Sequence, residues 1–153
     1  MTFRNHYQNA YVTRDIEAAM ALAQQRYGID SFIQFDVDMD MLTPDGPRRS
    51  ISKAALGWSG GFNFELIEPV GGELDIYSAY LPPDNSLRLH HVCMRTFDWD
   101  ATLADIAANG WPIAFEGHME GLKFVYVDAR ETFGHYLEYL YAEPEMWRMI
   151  GGP

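Results

Sequence analysis

The sequence predicts an α+β fold in which two βαβββ units curl into an open, cupped sheet with helices outside. Three observations predict it. The segments Gln8–Ala18 and His91–Ala101 share one design: a threonine two residues before an aspartate, then an apolar residue, an acid and an alanine. In both, a polar residue (Gln8, His91) stands seven places before that aspartate (Asp15, Asp98). Later in each half, Gly61-Phe62-Asn63-Phe64-Glu65-Leu66 matches Gly134-His135-Tyr136-Leu137-Glu138-Tyr139, and each match is soon followed by Glu-Pro, at Glu68-Pro69 and Glu143-Pro144.

Taken in order, residues 6–13 read as a strand, because Tyr11 and Val12 favour one. Asp15 then caps a helix. Ile16, Ala19, Met20, Ala23 and Tyr27 form its apolar stripe, and Gly28 stops it. Ser31 to Val37 reads as a second strand. The stretch Asp38 to Arg49, with Pro44, Gly46 and Pro47, reads as a loop. Ile51–Trp58 and Phe62–Ile67 read as a hairpin turning at Ser59-Gly60-Gly61. This first module spans about residues 5–70. A connector over 71–86 follows, with a short helix at Asp75–Leu81 and then Pro82-Pro83. The second module, about 87–142, repeats the order: a strand through His91, then a helix from Asp98 with Trp99, Leu103, Ile106 and Ala107 on one face. Gly110 ends that helix, and strands follow near Ile113–Phe115, Leu122–Val127 and Tyr136–Tyr141. Pro144 is well placed to start an end-helix within 143–153.

Composition narrows the function. A chain of 153 residues makes one domain with a proper core. A net charge of −11 argues against a nucleic-acid partner, since phosphate binding needs Lys and Arg. The single Cys93 rules out an internal disulfide and fits a reducing compartment. Met1 to His6 has no apolar core of the signal-peptide kind, and no apolar run approaches the roughly 18 residues of a membrane span. The expectation is a cytoplasmic protein acting on a small molecule. The apolar end-helix residues Met146, Trp147, Met149 and Ile150 predict a homodimer, because exposed patches of that kind usually find a partner.

Four polar residues interrupt apolar strands at matched points: Gln8, Glu65, His91 and Glu138. A lone strand glutamate usually faces solvent, and a lone buried histidine is usually a hydrogen-bonded core residue. The matching of both halves weighs against that reading, because buried carboxylates are usually paired or metal-bound. Two carboxylates, one imidazole and one amide oxygen suit Zn²⁺, Mn²⁺, Fe²⁺, Co²⁺ or Ni²⁺. The Asp36-Asp38-Asp40 alternation lacks the glycine and distal glutamate of a calcium loop and reads as solvated.

The repeated order and these positions resemble the vicinal oxygen chelate superfamily, which includes glyoxalase I, methylmalonyl-CoA epimerase, extradiol dioxygenases and bleomycin-resistance proteins. His90-His91-Val92 resembles the epimerase motif whose second histidine is the ligand. Phe64-Glu65-Leu66-Ile67-Glu68-Pro69 resembles the ligand strand of the same group. The resemblance implies an eight-stranded barrel, half from each module, with a metal held between them by Gln8, Glu65, His91 and Glu138. It leaves open whether modules pair within a chain or across a dimer. Many members carry histidine where this chain has Gln8, although some glyoxalase I enzymes use glutamine there. His6, two residues away on the same strand, is the rival. Weaker pocket candidates are His6 itself, Trp58, Asn63, Arg95, Tyr136 and Leu140. Tyr77 and Tyr80 read as packing, and His118, His135 and Lys53 as surface or core groups.

The resemblance implies a lyase, isomerase or epimerase whose metal stabilises an enediolate after proton abstraction next to a carbonyl, with Glu138 as base and Glu65 as second candidate. An aromatic content of 14% points to a fairly bulky or aromatic substrate. The alternatives are a non-catalytic drug-binding protein and an Fe²⁺ dioxygenase, the latter disfavoured by Gln8 and the extra Glu65.

Overall fold

A computed structural model describes residues 3–153. The strands are β1 (His6–Val12), β2 (Phe32–Thr43), β3 (Gly46–Ser59), β4 (Phe62–Gly72), β5 (Arg88–Thr96), β6 (Ile113–Met119), β7 (Leu122–Val127) and β8 (Tyr136–Ala142). The helices are α1 (Ile16–Tyr27), α2 (Trp99–Ala108), α3 (Arg130–Phe133) and α4 (Pro144–Met149), with a 3-10 turn at Ser78–Tyr80. Asp15 and Asp98 cap α1 and α2 by accepting from the third residue on, Ala18 and Ala101, at 3.0 Å each. Thr13 and Thr96 brace these caps by accepting from the aspartate backbone N–H at 3.2 and 3.4 Å. Tyr27 leaves the predicted stripe and is exposed.

The strands form one barrel in the order β1-β4-β3-β2-β6-β7-β8-β5. Each module contributes one half, and both lie in one chain. The expected open cup is closed, but barely: β2 meets β6 at the single pair Leu42 and Glu116. The other seam is a full antiparallel pairing of β1 with β5. Its register states the internal repeat in space. Gln8 pairs with Cys93 and Ala10 with His91, so exchanging Gln8 for His91 and Ala10 for Cys93 turns one pair into the other. The parallel neighbours agree, with Ala10 beside Glu65 and Cys93 beside Glu138.

The expected loop at Asp38–Arg49 is a correction. β2 and β3 run through it as a long hairpin turning at Pro44-Asp45. The alternation Val37, Met39, Met41 against Asp36, Asp38, Asp40 is that of a strand with one wet face. Met41 is buried and Val37 and Met39 pack on the core, while exposed Asp38 pairs with Arg49 at 2.8 Å.

Each barrel end is closed by a segment from outside the repeats. Ile76 and Tyr77 of the connector pack into one end beside Val12, Ile67 and Phe115. At the other, Trp147 of α4 is buried against Tyr7 and Trp58, with the Arg95 guanidinium 3.7 Å from its ring centroid. The end-helix therefore covers its own barrel rather than presenting the apolar patch expected to pair two copies; of its four apolar residues only Met149 is exposed. The chain then wraps the two indoles. Trp58 Nε1–H donates to Ile150 O at 2.8 Å, and Trp147 Nε1–H to Pro153 O at 2.9 Å. A Cβ at Gly152 would collide with the Trp147 ring. Gly152→Ala should cost about 1–3 kcal/mol through overpacking, read as a lower urea midpoint; an unchanged midpoint would mean the tail leaves Trp147 freely.

No helix among the described residues is long and apolar enough to cross a membrane.

Candidate metal centre

Inside a barrel, alternate residues of every strand face inward. Ala10 sits in β1 directly between Glu65 of β4 and His91 of β5. Its methyl group lets the two longer side chains meet over it. Cys93 likewise lies between Gln8 and Glu138. His91 Nε2 is 3.0 Å from Glu138 Oε2 and 3.4 Å from Glu65 Oε2. Donor atoms of all three residues lie within 4.8 Å of one another. Donors bound at about 2.1 Å around one ion stand roughly 3.0–3.4 Å apart in octahedral or tetrahedral arrangement, so the two imidazole contacts have the spacing of a shared ion.

Gln8 is buried next to this group. Its Nε2 donates to Asn63 Oδ1 at 2.9 Å, and Asn63 Nδ2 donates in turn to Gly57 O at 3.4 Å. That fixes the amide and leaves Gln8 Oε1 buried with no hydrogen-bond partner. An orphaned buried carbonyl costs about 1–3 kcal/mol, and a cation would satisfy it. The donor set of Glu65, His91 and Glu138, with a free amide oxygen alongside, fits a divalent ion.

Electrostatics agree. His91 is completely buried, which lowers its pKa, yet hydrogen bonds with Glu138 and Glu65 overcome that and raise it to about 9. Without a metal the imidazole is therefore a cation between two carboxylates. Burial raises the Glu65 pKa, partly opposed by its hydrogen bond and charge interaction with His91. Burial, and then the charge of His91, push the neighbouring His90 well below its ordinary value. Tyr126, whose hydroxyl is 3.2 Å from His91 Nε2, is raised well above the usual phenol range, first by burial and then by the charge of Glu138. It remains a proton donor.

The structure treats the weaker candidates unevenly. Asn63 is fully buried and holds Gln8. Tyr136 is buried, with its ring stacked 5.0 Å from that of His90. Leu140, Trp58 and Arg95 belong to the end sealed by Trp147. His6 does not join the centre. It is exposed, and its Nε2 lies 3.1 Å from Gln8 O and 2.9 Å from Asn9 Oδ1. The register shift between His6 and Gln8 breaks the same-face spacing that made it a rival. Lys53 is 3.7 Å from Glu68, and His118 is 3.1 Å from Glu116 at the surface. Three groups escaped sequence reasoning. Tyr126 follows from strand alternation opposite Glu138. Tyr77, expected only to pack, donates its hydroxyl to Tyr126 at 3.1 Å. His90 contacts His91 through its own ring nitrogen.

Residues 7–126, well over half of the chain, match the model of the Glyoxalase/Bleomycin resistance protein/Dioxygenase superfamily. The chain belongs to that superfamily. Its fold recurs in solved structures. Methylmalonyl-CoA epimerase from Mycobacterium tuberculosis superposes with a TM-score of 0.64 at 13% identity, covering 94% of this chain and 91% of the other. A methylmalonyl-CoA epimerase in complex with methylmalonyl-CoA and NH4+ gives 0.58 at 19%, covering 92% and 95%. A hypothetical protein from Bacillus halodurans gives 0.61 at 13%, covering 90% and 94%. At these identities the likeness is one of fold. No curated protein matches the chain in sequence.

Proposed function

We propose that this chain is a divalent-metal-dependent isomerase or epimerase that removes a proton next to a substrate carbonyl. The convergence of Glu65, His91 and Glu138 carries the reading, because the sequence brings one carboxylate from each module to a single imidazole. Gln8, Glu65, His91 and Glu138 would hold the ion. A divalent ion bound there supplies Lewis acidity toward a carbonyl oxygen, which makes the adjacent C–H acidic.

The protein supplies the rest. Glu138 is the base that takes the proton, and Glu65 is the second carboxylate able to return one. Burial raises the Glu65 pKa, which suits a carboxyl that holds and returns a proton. Tyr126 is placed to donate a hydrogen bond at the same point, its hydroxyl braced by Tyr77. The buried aromatics Phe115, Tyr126 and Tyr136 exclude water around these groups. A carbonyl compound with an acidic neighbouring C–H is the substrate class, and methylmalonyl-CoA is the first to try, by analogy of fold alone.

The test is metal analysis of protein purified without chelator or affinity nickel. One equivalent of a first-row ion is expected in the native protein, and at least about tenfold less in Glu65→Ala. Native protein that binds no Zn²⁺, Co²⁺ or Ni²⁺ in titration would overturn the metal-dependent reading and favour a binding protein of the drug-sequestering kind.

A further inference from the structure

The two repeats are alike in register, but the connector between them grips only one half of the site. Two consecutive connector residues, Ile76 and Tyr77, hold the groups on either side of His91. On one side, the Ile76 carbonyl is 3.1 Å from His90 Nε2. A carbonyl only accepts, so His90 carries its proton on Nε2. His90 is fully buried, and its two hydrogen-bond contacts are that carbonyl and His91 Nδ1, at 3.0 Å. A nitrogen–nitrogen contact of this length holds a single proton. With the His90 proton directed to the Ile76 carbonyl, its Nδ1 offers a lone pair and His91 Nδ1 is the donor. On the other side, Tyr77 donates to Tyr126, whose hydroxyl is 3.2 Å from His91 Nε2.

The His90 ring is itself fixed. It stacks on Tyr136 at 25° between planes and lies 4.8 Å from the Tyr77 ring. The first module has no such device. Tyr7 occupies the place equivalent to His90, before Gln8, and its hydroxyl instead accepts from Cys93 Sγ at 3.6 Å. An amide ligand has one fixed oxygen donor and needs no tautomer control; an imidazole does.

We propose that His90 is a positioning residue for this centre: it accepts the Nδ1–H of His91, fixes that tautomer, and so leaves Nε2 as the nitrogen offered between Glu65 and Glu138. The role presupposes that His91 is a metal ligand. Metal-bound histidines commonly donate their second N–H to a carboxylate or carbonyl. Here a neutral imidazole takes that part and passes the restraint to the connector backbone.

Zinc is the probe, with the full chain labelled with ¹⁵N-histidine. In zinc-loaded wild type, His91 should show zinc on Nε2, a proton on Nδ1, and a ¹⁵N–¹⁵N coupling across the hydrogen bond to His90 Nδ1. His90→Phe keeps the ring stack but not the acceptor. Its zinc affinity, measured by chelator competition, should fall about 10–100-fold. His90→Asn, whose Oδ1 can accept in place of Nδ1, should recover most of that loss. Thermal unfolding of the metal-free variants separates this from simple damage, since a merely structural role would lower stability in both without the asymmetry in affinity. Zinc on His91 Nδ1, a proton on His90 Nδ1, or unchanged affinity in folded His90→Phe would each overturn the proposal. Should wild type fail to bind zinc, the metal reading falls separately. The coupling is then read in metal-free protein, and its absence there would overturn the assignment of the shared proton to His91 Nδ1.

Discussion

Glu138→Gln is expected to slow exchange of the substrate's α-proton with solvent by about 10²–10⁴-fold, the usual contribution of a positioned general base. Metal affinity should fall less than exchange does, because glutamine keeps an oxygen donor of similar reach, though a neutral and weaker one. Deuterium incorporation from D2O, followed by mass spectrometry with methylmalonyl-CoA as the first substrate, reads the exchange. Titration with zinc reads the affinity. Glu138 Oε2 is the carboxylate oxygen nearer to His91 Nε2, at 3.0 Å, and its side chain is only 7% exposed. A proton taken there is not lost to bulk water at once. Exchange that survives in Glu138→Gln and disappears in Glu65→Gln would move the base to the first module. Exchange that survives in both would remove the carboxylates from the chemistry.

The repeat was readable because β-structure has a period of two and the helix caps carry fixed signatures. Asp15 and Asp98 set the phase of β1 and β5, and Gly61 and Gly134 that of β4 and β8. Given those phases, Glu65, His91 and Glu138 could only face one way. The β2–β3 hairpin is masked in the sequence because three aspartates and two prolines resemble loop chemistry. They are tolerated there because Asp36, Asp38 and Asp40 occupy the wet face and Pro47 sits just past the turn, opposite Leu42. The exposure of His6 is not legible in the sequence, because the register shift between it and Gln8 has no mark there.

His90, Tyr126 and Tyr77 were harder for a different reason. Their roles depend on the path of the connector, which belongs to neither repeat and has no periodicity. Only after Ile76 and Tyr77 are seen to enter the barrel end does Tyr77 meet Tyr126 and the Ile76 carbonyl meet His90. The end-helix is similar: its apolar residues were visible, but the sequence did not say that Trp58 and Tyr7 would receive Trp147.

Metal affinity should rise about tenfold for each pH unit from near pH 7 up to about 9, and flatten above it. Glu138 and Glu65 hold a proton on His91 Nε2 up to about that pH, and an ion must displace it. Calorimetry in buffers of different ionisation enthalpy should therefore find close to one proton released per ion at pH 7–8. The same shift fixes the stability of the metal-free protein. The folded pKa of about 9 exceeds the unfolded value near 6.5, so His91 contributes stability that is fully present below about pH 6.5 and lost as pH rises through about 9. Metal-free protein should lose urea resistance across that window, whereas metal-saturated protein should hold it, because the ion replaces the proton as the positive charge between the carboxylates. Metal affinity independent of pH between 7 and 9, with no proton released, would mean that His91 is already neutral and that the two carboxylates do not act on it as a pair.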